Sequence, residues 1–125
     1  MKVLLSIKPE FVEKIFDRVK KFEYRKSIFK NKEIDTIVIY ATKPVGKIVG
    51  EIYIEQIIEK SPKELWELTK EFSGIDEHFY ESYFADREKA YAIAIKDVFK
   101  YKNPICPYSE YDNFVPPQSF RYWSS

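Results

Sequence analysis

Cysteine, histidine and glycine are all scarce in this chain: Cys106 and His78 stand alone, and only 3 glycines occur in 125 residues. A single cysteine excludes a disulfide framework and a cysteine-held metal site. A single histidine, without a Ser/His/Asp set or metal-ligand spacing around it, leaves His78 as a surface or packing residue. Three scattered glycines provide no phosphate-cradling loop. No run approaches ~18 consecutive apolar residues, and the N-terminus carries no charged-then-apolar leader pattern. The expectation from these absences is a cytoplasmic protein, with no membrane partner, no metal and no cofactor.

What is present describes a globular chain. Hydrophobic residues make up 45% and charged residues 33%, and the length suits one domain over 1–125 with a real core. Ten tyrosines, ten phenylalanines and two tryptophans raise the aromatic share to 18%. Tyrosine rings pack while their hydroxyls still need partners, which suits the walls of a polar cleft. The formal net charge of +1 says little, but its distribution is uneven. Residues 1–50 hold twelve Lys/Arg against six Asp/Glu, and Arg18–Lys32 holds seven cations with Glu23 as its one acid. A local cluster of that kind attracts phosphate even on a nearly neutral chain.

The centre of the pattern is Lys20-Lys21-Phe22-Glu23-Tyr24-Arg25-Lys26. Its alternation predicts a short strand with Phe22 and Tyr24 toward the core and Lys21, Glu23 and Arg25 on the other face. A carboxylate between two cations is already neutralised and can sit in a partly buried cleft. The same pattern also fits an edge strand armoured with charge.

Around it, Lys2–Ile7 reads as a strand, and Pro9 starts a helix whose buried stripe is Phe11, Val12, Ile15 and Phe16. Ser27–Glu33 is a polar loop. Asp35–Thr42 is apolar on both faces, as a central strand would be. Lys47–Ile58 is a long strand in which Gly50 marks a bulge or bend, and such curling suggests a small barrel. Ser61-Pro62-Lys63-Glu64 starts a second helix with Leu65, Leu68 and Phe72 as its apolar face. Asp76 caps a third helix to about Ala85, with Phe79, Tyr80, Tyr83 and Phe84 as a core stripe. Arg87–Lys100 is the last long strand, and Ala90, Ala92 and Ala94 on one face make room for a packed helix. Asn103–Ser125, rich in proline and tyrosine, is expected to wrap over the surface instead of joining the sheet. Ile39, Ile52 and Ile93 are expected in the core. No internal repeat or low-complexity tract is visible.

These residues resemble the ASCH family of the PUA-like superfamily. The resemblance is carried by Leu5-Ser6-Ile7-Lys8-Pro9-Glu10-Phe11 and by the hallmark G-x-K-x-x-E-x-R, seen here as Arg18-Val19-Lys20-Lys21-Phe22-Glu23-Tyr24-Arg25. Val45–Gly50, Tyr83–Arg87 and Pro116–Phe120 also look like stand-alone members, so the resemblance covers essentially the whole chain. Arg18 stands where the hallmark usually has glycine. The resemblance implies an α+β fold, a small PUA-like mixed β-barrel with flanking short helices around a cleft. It implies an RNA- or nucleotide-binding module and a role in regulating transcription or translation. It also implies alternatives: a small amidohydrolase acting on acylated cytidine-type nucleosides, or a ribonuclease. In the amidohydrolase members a lysine and a carboxylate act in this cleft, which would make Lys20 and Glu23 catalytic; Glu23 occupies the position where those members have threonine.

Binding RNA or a nucleoside needs cations for phosphate, aromatics for stacking and fixed polar groups for base edges. The candidate ligand residues are Ser6, Lys8, Lys20, Lys21, Glu23, Arg25, Tyr40, Thr42, Gln118 and Ser119, with Tyr24 and Phe120 as further stacking platforms. As an enzyme, the chain would need Lys20 to lose its charge by burial beside Lys21 and Arg25.

Overall fold

In the computed structural model, which describes residues 1–124, the longest strands carry the architecture. The strands are β1 (Lys2–Ile7), β2 (Phe22–Arg25), β3 (Thr36–Ala41), β4 (Lys47–Lys60), β5 (Ala90–Ile105) and β6 (Arg121–Trp123). They form one sheet in the order β2-β5-β4-β3-β1-β6. All pairings are antiparallel except β1 with β3, where Leu5 stands beside Ile39. Helices α1 (Pro9–Phe16), α2 (Pro62–Thr69), α3 (Glu77–Tyr83) and the one-turn α4 (Pro107–Glu110) flank it. The class is therefore α+β. The sheet is not closed by backbone pairing, since β2 and β6 are its two ends, so the expected barrel is an open, curled sheet.

The local reasons are those of the sequence. β3 is buried at every residue, as an apolar run in mid-sheet should be. Ile39, Ile52 and Ile93 are wholly buried in the main core with Val3, Leu5 and Ile37. Opposite Gly50 the β3–β4 register slips between Ile39 and Tyr40. A Cβ on Gly50 would collide with the Phe99 carbonyl and lie 2.7 Å from the Phe16 ring, so only glycine lets β4, β5 and α1 come this close. Ser61 accepts the Glu64 N–H at 3.3 Å and donates to its carboxylate at 2.9 Å, and Asp76 accepts the Phe79 N–H at 2.7 Å. Both helix starts fall where their caps put them.

Three expectations need correction. The C-terminal segment does join the sheet: β5 continues to Ile105, and β6 pairs with β1 through Leu4 and Arg121. Three residues so far from their partner in sequence give no periodicity to detect. The buried face of α2 is Leu65, Trp66 and Thr69, while Leu68 is 58% exposed and Phe72 lies beyond the helix in a 3-10 turn. Thr69 takes the inward place because its hydroxyl has partners on both sides, donating to the Leu65 carbonyl at 2.7 Å and meeting the Tyr24 hydroxyl at 2.7 Å. The aromatic stripe of α3 divides: Tyr80 and Phe84 are buried against Tyr24, whereas Phe79 and Tyr83 are half-buried on an adjoining face.

Candidate functional site

Where α1 turns into β2, Arg18 adopts a left-handed backbone with φ of 64°, the conformation that favours glycine. Arg18 donates to Asp97 at 2.9 Å on the surface, which helps hold that turn. The Val19 and Lys20 N–H groups both return to the Lys14 carbonyl, at 3.1 Å each. This tight reversal drives Lys20 inward to 2% exposure. Gly74 makes the room: a Cβ there would sit 2.5 Å from the lysine stem.

Lys20 Nζ donates to the Ser73 carbonyl at 2.7 Å and lies 4.8 Å from the Tyr24 ring centre and 5.3 Å from that of Phe11. Burial lowers its pKa to about 8, with the Glu23 carboxylate working in the opposite direction and the Lys14 charge adding to the fall. The neighbours expected to depress it, Lys21 and Arg25, are not the cause. Lys21 leaves the cleft altogether and lies 4.1 Å over the Phe72 ring.

Glu23, 6% exposed, faces the same cleft. Its Oε2 accepts from Arg25 Nη1 at 3.3 Å, and Arg25 also donates to the Ser119 carbonyl at 2.9 Å and the Ser6 carbonyl at 3.5 Å. Ser6 Oγ donates to the Pro117 carbonyl at 2.7 Å, tying the C-terminal segment to the same corner. β2 is an edge strand, but its charged face is buried and braced, so these residues do not armour an open edge.

The cleft encloses about 170 Å³. Its charged floor is Lys20, Glu23 and Arg25, and its walls are Phe11, Tyr24, Phe79 and Tyr83. Phe79 and Tyr83 are nearly parallel, at 8°. Lys8 lines the cleft and lies 5.3 Å over Phe79, and Lys26, outside the lining, lies 4.7 Å over the Tyr83 ring. Tyr24, whose pKa burial pushes up to about 12, stays a neutral wall. Among the described residues no three His, Cys, Asp or Glu side chains converge to hold a metal ion.

The structure thus brings Ser6, Lys8, Lys20, Glu23 and Arg25 into one cleft, with Ser119 behind Arg25. It leaves the others elsewhere. Tyr40, on β3, is buried in a separate cluster with Leu4, Val38 and Ile48, its hydroxyl 2.5 Å from that of Tyr108. Thr42 is half-buried in the turn after β3, Gln118 is exposed, and Phe120 packs on Phe29. Sequence reasoning missed Phe11, Phe79 and Tyr83 as cleft walls. The signal was there for two of them: positions 79 and 83 form a row about 100° from that of 80 and 84, too wide an arc for one core face. Lys30 and Lys32 lie apart, in a wider groove of about 680 Å³ beside Asp35, Glu55 and Glu59. The basic cluster of Arg18–Lys32 is therefore not one patch.

The ASCH domain family model matches residues 5–99. An ASCH domain-containing ribonuclease from Zymomonas mobilis is 32% identical over 125 residues, covering 95% of this chain and 82% of that protein. A crystal structure of ASCH from Zymomonas mobilis aligns with a TM-score of 0.90 at 31% identity, over 98% of this chain and 87% of that one. A large ribosomal subunit protein of Ureaplasma parvum is 29% identical over 121 residues, 96% of this chain. The chain spans 38% of the length of that protein.

Proposed function

The chain belongs to the ASCH domain family, and from that premise we propose that it binds single-stranded RNA by taking one base into the cleft between α1, β2 and α3. The observation that carries this is the combination of aromatic walls with two buried groups of opposite charge, Lys20 and Glu23, that line the same cleft without pairing to each other. Aromatic faces stack any base, while a few fixed polar groups read its edge. Lys8 in the cleft lining and Lys26 over the Tyr83 ring meet the flanking phosphates. The role that fits such a module is regulation of transcription or translation through the bound RNA.

A second reading, ribonuclease activity, is favoured by the name of the Zymomonas relative. Lys20, with its pKa near 8, is then the group best placed to exchange a proton near neutral pH. The amidohydrolase alternative has the same lysine but lacks the threonine that its family members place where Glu23 stands. A fluorescence anisotropy titration with labelled single-stranded RNA tests the binding claim, with gel analysis of the same RNA for cleavage. Phe79→Ala is expected to weaken binding by about 1–3 kcal/mol, the value of one stacked base. Unchanged affinity in that variant would remove the cleft from the RNA path.

A further inference from the structure

We propose that the base accepted by the cleft is guanine. The inference rests on the RNA-binding reading and deepens it by naming the base. Lys20 and Glu23 share the cleft floor and sense each other's charge, yet each is held by a different group: Lys20 by the Ser73 carbonyl, Glu23 by Arg25. Among the described residues no direct ion pair joins them, so a ligand edge can enter between an ammonium donor and a carboxylate acceptor.

The carboxylate has capacity to spare. Arg25 occupies one lone pair of Oε2 through a long contact of 3.3 Å. Among the described residues no protein group donates to Oε1, and no buried side-chain oxygen lacks a partner, so Oε1 faces the cleft. An ionised carboxylate offers about four acceptor sites and no donor. The edge that meets such a floor best presents two adjacent donors followed by an acceptor.

Guanine presents that edge: N1–H and N2–H to the two Glu23 oxygens, and O6 to Lys20 Nζ. Cytosine offers one donor and then two acceptors, which sets its N3 against a carboxylate oxygen. Uracil places an acceptor on each side of one donor, and adenine has a donor beside an acceptor. Each of these leaves at least one carboxylate oxygen against a lone pair, and an unmatched polar contact in a buried site is costly. Size agrees with a single base. A volume of about 170 Å³ is below the roughly 300–1,000 Å³ of sites that take a drug-sized ligand. Phe79 and Tyr83 then offer ring faces for the purine.

The test uses five-nucleotide RNAs, uridine throughout except for a central guanosine, inosine, adenosine, cytidine or uridine, titrated by calorimetry into the wild-type protein. Inosine keeps N1–H and O6 but lacks the N2 amine, so it probes the second carboxylate contact without any mutation. The expected result is tightest binding of the guanosine RNA, with the inosine RNA about tenfold weaker. Glu23→Gln is expected to level the series. Equal affinity for all five RNAs would overturn the guanine assignment and leave RNA binding intact. Binding of none of them would overturn both readings together.

Discussion

Arg25 on β2 donates to the Ser119 carbonyl at 2.9 Å, joining one end of the sheet to the segment that leads into the other. The same guanidinium holds Glu23 and reaches the Ser6 carbonyl on β1. What the backbone leaves open, one side chain spans. The corner of the cleft is therefore fixed by a charged group with three separate partners.

Removing that group should be expensive. Arg25→Ala leaves the Glu23 carboxylate buried without its cation and is expected to cost about 2–4 kcal/mol in urea unfolding. Arg25→Lys, which cannot fork to Ser119 and Glu23 together, should recover only part of the loss. A cost below about 1 kcal/mol for the alanine variant would mean that the corner is solvated and loosely held.

Lys20 should leave a signature in the pH dependence of stability. Its folded pKa of about 8 lies below the ordinary 10.5. Between those values the unfolded chain keeps a proton that the folded chain has released, so stability rises with pH across that window. The gain is fully present above about 10.5 and is lost as pH falls through 8, with a total of about 3 kcal/mol. Lys20→Met removes the titrating amine. The stability difference between wild type and variant, followed by denaturant unfolding at pH 7 to 10.5, should move by that amount in favour of the wild type. A difference that stays flat would place Lys20 in water.

The salt dependence of RNA binding should separate cations that sequence alone grouped together. Lys8 lines the cleft and Lys26 lies over its wall residue Tyr83, whereas Lys21 covers Phe72 away from it. The Lys8→Ala/Lys26→Ala double variant is expected to reduce the log–log salt slope by about 1.4, and Lys21→Ala to leave it unchanged. The opposite ranking in anisotropy titrations across a salt series would move the phosphate path to the far side of β2.

The parts of the fold that the sequence made legible are those where one local force dominates. β3 is an uninterrupted apolar run, and Pro9, Ser61-Pro62 and Asp76 start helices by capping chemistry that needs no tertiary context. Gly50 was readable as a bulge or bend in β4, where the register does shift, because a central strand rarely spends a residue without a side chain. The strand that carries Glu23 and Arg25 was legible from its alternation, and the hallmark singled out Lys20 just before it.

What escaped depends on contacts distant in sequence. β6 exists because Arg121–Trp123 meets the start of β1 across the whole chain length. Leu68 looked like core by spacing, but Thr69 had hydrogen-bond partners inside and took the buried side. Tyr40 and Thr42 looked like cleft residues beside Ser6, and Ser6 does stand level with Tyr40 in the parallel pair. Tyr40 shares that face but packs into a separate cluster with Leu4, Val38 and Tyr108 and does not line the cleft. Arg18 stands at the hallmark glycine position, and the tight turn is present there with a non-glycine residue held in the left-handed region.

The central claim, a single RNA base held between α1, β2 and α3, is tested most directly by amide chemical-shift mapping of the protein titrated with a short single-stranded RNA. The account predicts saturable shifts concentrated at Ile7, Lys8, residues 20–25, Ile75, Phe79 and Tyr83, with little change around Tyr40, Tyr108 and the groove that holds Lys30 and Lys32. Shifts confined to that groove, or to the Tyr40 cluster, with the cleft silent, would contradict it.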